Sequence, residues 1–165
     1  MSFRSDGLLR GAREERAEAM ISLADAGWDL GVFLDLHCGL LDHAEDFRAA
    51  AMKALQDIAK RRPEPIALTP VRLLSEFLFS FTVSSGMRVE TFEFLMELDT
   101  PEAYQAIEQA LLRTQRNEDF RDFVRALQRA NKLELLRRLE PGKLSKTKAA
   151  VLYSALNSAG DRPSE

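Results

Sequence analysis

Thr69-Pro70 and Thr100-Pro101 stand 31 residues apart, and each reads as the start of a helix. A threonine oxygen accepts one of the free N–H groups of a first helical turn. A proline costs nothing there, because its missing N–H would be unpaired anyway. An interval of this length holds two short helices and their turns, so the pair sets the scale of the fold as helical hairpins.

Other punctuation agrees. Residues 12–26 form a helix stopped by Gly27, where positive φ is cheap. Asp29 caps a second helix that runs to about Leu41. Its apolar residues (Leu30, Val32, Phe33, Leu34, Leu36, Leu40, Leu41) fall on nearly all sides, which predicts a buried helix. A third spans 44–61, before the breaking run Arg62-Pro63-Glu64-Pro65. The Thr-Pro signals open the fourth and sixth helices, with the fifth at about 87–98. Asn117 or Glu118 starts a seventh that ends or kinks near Asn131, and 132–139 continues it or forms a short eighth. Pro141-Gly142 is a stop, and Ser145 caps a last helix ending near Gly160.

One stretch competes with this reading. Residues 79–84 alternate apolar and polar, and Ser85-Gly86 could turn them into a hairpin with 89–94. Glu90, Glu93 and Glu97 decide for helix, since spacings of three and four place them on one helical face. As a strand, Glu90 would share a face with Phe92 and Phe94. Val71, Leu74, Leu78 and Phe81 also keep helical spacing. Phe79 and Phe94 lie off the main stripe and are expected to face a groove or a second subunit.

The string from Asp46 to Ala59 resembles the second helix of a HEAT-type repeat. Asp46, Phe47, Arg48, Ala51, Ala54, Leu55 and Ile58 occupy the places of that pattern, with Gln56 where a glycine is usual. Arg121-Asp122-Phe123-Val124-Arg125-Ala126-Leu127 is a fainter version. The resemblance implies small residues at 51 and 54 that admit a neighbouring helix. It also implies Leu55 and Ile58 filling the groove between helices, and an Arg48 that bonds to an acidic group or carbonyl of an adjacent repeat. The fold it implies is an all-α, irregular HEAT-like α-α superhelix (an α solenoid) of about seven to nine helices. A compact helical bundle is the alternative.

The chain has 165 residues, which suits one domain, with about ten N-terminal and about five C-terminal residues expected to be loose. The single cysteine, Cys38, fits a reducing compartment. No signal-peptide pattern and no apolar run of membrane length is present, which points to the cytoplasm. The net charge of −3 conceals polarity. From Glu14 to Asp46 there are nine acidic residues and one basic, a net of −8. From Arg113 to Lys148 there are eleven basic and five acidic, a net of +6. Such polarity bears on partners.

Chemistry is hard to find. His37, Cys38, Asp42, His43 and Asp46 are the one cluster of metal-ligand types, but the two histidines are six apart and off one helical face. Metalloenzymes of the HEAT-like kind carry repeated His-Glu pairs, whereas here Cys38 follows His37 and Ala44 follows His43. The expectation is that Cys38 is a buried small residue and that His43 helps cap the following helix. No phosphate loop and no nucleophile with an adjacent base is recognisable. No catalytic, cofactor-binding or metal residue is assigned, and no enzyme activity is expected.

The leading expectation is a noncatalytic scaffold or adaptor that holds a protein partner in a groove between helical hairpins. Segments 44–61 and 117–131 are its expected lining. Arg121, Arg125 and Arg129 form a stripe at spacings of four, continued by Lys132, Arg137, Arg138, Lys143, Lys146 and Lys148. With Arg48 and with Trp28, as an anchor in the first turn or as packing over the first helices, they are the candidate partner-binding residues. The alternatives are binding of a nucleic-acid backbone through the same basic region, as HEAT-like DNA glycosylases do, and a helical-bundle enzyme without a motif. A homo-oligomer joined acidic end to basic end is a further arrangement the polarity suggests.

Overall fold

Helix boundaries here follow local capping chemistry. The computed structural model describes residues 13–61, 69–79 and 83–160. They form α1 (Arg13–Ser22), α2 (Leu30–Leu40), α3 (Glu45–Arg61), α4 (Pro70–Phe77), α5 (Ser85–Leu98), α6 (Pro101–Arg113), α7 (Asn117–Arg129), α8 (Glu134–Arg137) and α9 (Lys146–Gly160), with 3₁₀ turns at Leu23–Asp25 and Pro141–Lys143. Among the described residues there is no strand, so the fold is all-α. Three of the predicted caps are read directly from their hydrogen bonds. Asp29 accepts from the Val32 N–H, Thr69 from Arg72 and Thr100 from Ala103. Ser84 caps α5 in the same way. Gly27 takes a φ of +83° after the first helix. The expected break at 62–65, the alternating residues 80–82 with Phe81, and the expected loose ends lie outside the described residues.

The chain divides into two compact units, Met1–Val83 and Ser84–Glu165. In the first, α1 and α2 both pack on α3, and α4 packs on α3 and α2. Ala51, Ala54 and Leu55 are fully enclosed, with Ile58 beside them. Gly39 of α2 shows why small residues are needed. A Cβ built there would lie 2.9 Å from the Ala51 Cβ and 2.6 Å from the Met20 Cε. Arg61 ties the end of α3 back to the turn after α1, donating to the Ala24 carbonyl and pairing with Asp25 at 3.1 Å.

In the second unit, α5 packs on α6 and α7, and α7 packs on α9. Phe92 and Phe123 stack at 4.3 Å, and Leu95, Ile107, Leu111, Phe120 and Leu127 of the same unit are fully enclosed as well. A buried ion pair crosses this core. Arg88 Nη2 donates to Asp119 Oδ1 at 3.2 Å, its Nε lies 3.1 Å from Oδ2, and the Ser85 hydroxyl donates to the same carboxylate at 3.0 Å. Both charged side chains keep under a tenth of their surface exposed. The Arg88 Nε meets Oδ2 as an ion pair without hydrogen-bond geometry, so the partner carboxylate is what offsets the burial of the guanidinium.

Three sequence expectations are corrected. Phe94 is buried rather than groove-facing, because α5 is enclosed on most sides by α6 and α7; Phe79 is half-buried. The α2 helix is not buried all round: Val32, Phe33, Leu36, Gly39 and Leu40 face inward, while Leu30, Leu34 and Leu41 are 59%, 51% and 44% exposed. Cys38 is exposed rather than buried, because it sits on that outer face.

Candidate functional site

The basic stripe comes from α7, whose inward face (Phe120, Phe123, Val124, Ala126, Leu127) turns the arginines outward. Arg121 is exposed, and Arg125 is exposed beside Asp122 at 3.2 Å. Arg129 reaches across to pair with Glu93 of α5. Lys132 is committed further. The end of α7 closes in a Schellman arrangement: Asn131 takes a φ of 54°, the Asn131 N–H bonds to the Gln128 carbonyl and the Lys132 N–H to the Leu127 carbonyl. This aims the Lys132 ammonium at the end of α5. It donates to the Met96 carbonyl at 2.9 Å, the Tyr104 hydroxyl at 2.9 Å and Asp99 at 3.2 Å, while the Tyr104 hydroxyl also donates to Asp99. The Tyr104 hydrogen bond, aided by Asp99, raises the Lys132 pKa above its ordinary value against the opposing effect of burial. A cation at the C-terminus of a helix also meets the negative end of its dipole.

Arg129 and Lys132 therefore line an open groove of about 670 Å³ with Glu93, Met96, Glu97, Asp99 and Tyr104, and they are spent on its acidic wall. Further along the chain, Lys148 is buried, against expectation. Its ammonium donates to the Thr114 carbonyl at the end of α6 and lies 5.5 Å from the Phe120 ring centroid. Desolvation lowers its pKa. Lys143 pairs with Glu140 at 3.1 Å, whereas Arg137, Arg138 and Lys146 are exposed. The buried Lys148 and the buried Asp119 cancel in the +6 of the sequence count, and Arg129 and Lys132 are paired with acids outside that segment.

Arg48 and Trp28 lie in the first unit, so the structure does not gather the six candidate residues into one described site. Arg48 Nη1 donates to the carbonyls of Asp42 at 2.7 Å and His43 at 2.9 Å, in the turn leading into its own helix, rather than to an adjacent repeat. That turn is capped by Asp42, whose carboxylate accepts from the Ala44 N–H at 2.8 Å; the His43 side chain is not the cap and is exposed. Trp28 is half-buried and meets Phe33 edge-on at 5.9 Å. Phe33 stacks in turn on His37. The expected lining helix α3 turns most of its surface inward, with Phe47, Ala50, Met52 and Ala59 buried besides the residues named above.

The surface that sequence reasoning missed is the outer face of α2. Leu30, Leu34, His37 and Leu41 follow one another at spacings of four, three and four, with Cys38 beside them. The three leucines are among the four large apolar side chains that stand exposed among the described residues, the fourth being Tyr153. Of the two glycines inside α2, Gly39 is buried against Ala51 and Met20 while Gly31 is exposed, so the sequence alone did not mark the inner side.

Among the described residues, no group of three or more His, Cys, Asp or Glu side chains is arranged to hold a metal ion, and no helix is long and apolar enough to cross a membrane. Comparison with protein-family models, with curated proteins and with solved structures finds no match to this chain.

Proposed function

We propose that the chain is a noncatalytic interaction module that holds a protein partner on the outer face of α2. The observation that carries this reading is the apolar seam of Leu30, Leu34 and Leu41, each roughly half exposed. Covering such surface gains about 25 cal/mol per Å², or about 1 kcal/mol for each half-exposed leucine. Together that is about a hundredfold in affinity before any polar contact. Single exposed leucines need no explanation, but three in register on one helix form a contiguous surface.

The noncatalytic part rests on the fate of the titratable groups. Lys132 is held charged by Tyr104 and Asp99, which suits a tie between helices and not a nucleophile. The burial of Ala51, Ala54, Leu55 and Ile58 against α1 and α2 supports reading α2–α3 as a HEAT-like helical pair, with α2 as its outer member. The exposed, unpaired thiol of Cys38 supports a cytoplasmic setting. Nucleic-acid capture is less favoured, because Arg129, Lys132 and Lys148 are engaged within the chain and a phosphate track needs its cations free.

Cys38 supplies the test, as the chain's one thiol beside the seam. Its alkylation rate by a maleimide is compared in buffer and in native extract, with the protein-free filtrate of that extract as control. A slower rate in whole extract is expected, restored by Leu34→Ser. An equal rate in extract and filtrate would remove α2 from the proposal.

A further inference from the structure

We infer that the occupant of the α2 face is a single amphipathic helix with leucine-type residues along its seam and lysine or arginine on its flanks. The inference rests on the proposed role of α2 and adds the chemistry of the partner.

The spacing of the seam argues for a helix. Leu30, Leu34, His37 and Leu41 advance by four, three and four, which keeps them in one line along the helix, so that a second helix can lie against them over their length. The seam spans eleven residue steps, which at about 1.5 Å per residue is about 16 Å, three turns of a partner helix. An extended strand would find no free sheet edge, since the described residues contain no strand.

The border of the seam argues for positive charge. Asp29 stands at its start and Asp42 at its end, each also accepting from a backbone N–H. Between Arg16 and Arg48 the chain holds seven acidic residues and neither lysine nor arginine, and of the seven Asp25 is paired with Arg61. A basic helix finds opposite charge along this border, which speeds encounter and fixes orientation. A second copy of the same face would bring aspartates against aspartates, and like charge at an interface works against pairing. An anionic lipid surface would meet the same repulsion.

The probe is a synthetic helix of about 21 residues, leucine at heptad positions a and d and lysine at e and g. One control carries glutamate at e and g. A second keeps the lysine composition but disperses the leucines. Binding to the full-length chain is read by fluorescence anisotropy, and light scattering reports the mass of the chain alone. The lysine peptide is expected to bind at least about tenfold more tightly than either control, and Leu34→Ser to weaken it by about tenfold. Leu30→Ser serves as a second variant, with circular dichroism confirming that each keeps its helix content. Equal binding of the lysine and glutamate peptides would overturn the inference, as would unchanged binding to both serine variants. A chain that is dimeric by itself, and becomes monomeric on Leu34→Ser, would assign the face to a second copy instead. Protection of Cys38 in extract without preference for the lysine peptide refutes only the basic helix; loss of that protection refutes the site itself.

Discussion

In the Met1–Val83 unit α2 meets α3 where Gly39 faces Ala51, two of the smallest residues available, with no room for a Cβ between them. In the Ser84–Glu165 unit the core is crossed by Arg88 and Asp119, two of the most costly residues to bury. The contrast runs through both units. All five buried polar side chains of the described residues, Arg88, Thr91, Thr114, Asp119 and Lys148, belong to the second. The first buries none of them and carries the leucine seam on its outside. One unit is specified mainly by shape, since apolar contacts are not directional and the fit of Gly39 to Ala51 limits how α2 and α3 can meet. The other is specified by bonds whose partners must be in place.

The largest expected effect tests the bonded unit. Asp119→Ala leaves Arg88 charged and enclosed, and should destabilise the unit by about 3–5 kcal/mol. Amide hydrogen exchange of α5 and α7 reports it locally. The double variant Arg88→Met, Asp119→Leu should recover most of that loss, because an apolar pair needs no partner. If the double variant is as unstable as the single one, the ion pair does more than satisfy itself.

Next comes the shape-specified unit. Gly39→Ala improves helix propensity by about 1 kcal/mol, yet its new methyl meets Ala51 at 2.9 Å. The overpacking should win, with a net loss of about 1–2 kcal/mol in denaturant unfolding. Ala51→Gly in the same chain should restore part of it. Stabilisation by Gly39→Ala alone would show that α2 and α3 are free to move apart.

The two engaged lysines give a smaller, pH-dependent effect of opposite sign. The raised pKa of Lys132 means that its stabilisation is complete below the ordinary value of 10.5 and is lost as pH climbs through the folded value. Lys148 has a lowered pKa, so the unfolded chain binds the extra proton and stability rises with pH between the folded value and 10.5. Lys132→Met should remove the alkaline fall and Lys148→Met the preceding rise, both measured as thermal midpoint against pH. The smallest effect belongs to the exposed stripe. Arg121→Glu with Arg125→Glu should leave stability within about 0.5 kcal/mol.

Helix starts were legible because a cap is a local event. Asp29, Thr69 and Thr100 each needed only a side-chain oxygen three residues before a free N–H. Depth was less legible. Lys148 looks like one more surface cation until the α6 carbonyl it reaches is known, and that carbonyl belongs to Thr114, distant in sequence. Arg88 was readable in part. It shares a helical stripe with Phe92 and Leu95 at spacings of four and seven, as Asp119 does with Phe123 and Ala126. A charge repeated on an apolar period is a signal for a buried partner of opposite sign. The two faces of α2 were hidden for the reverse reason: its flanks are composed alike, with one glycine on each, Gly39 inside and Gly31 outside.

The left-handed residues Asp99 and Asn131 end α5 and α7 without glycine, and that choice bears on how the sequence can drift. Asparagine and aspartate tolerate this conformation better than other residues that carry a Cβ. At 131 glycine would serve the backbone equally well. At 99 it would not, since the carboxylate there also receives Lys132 and Tyr104. Selection should therefore admit glycine or asparagine at 131 and hold an acidic residue at 99, so that two positions of similar backbone geometry accept different substitutions.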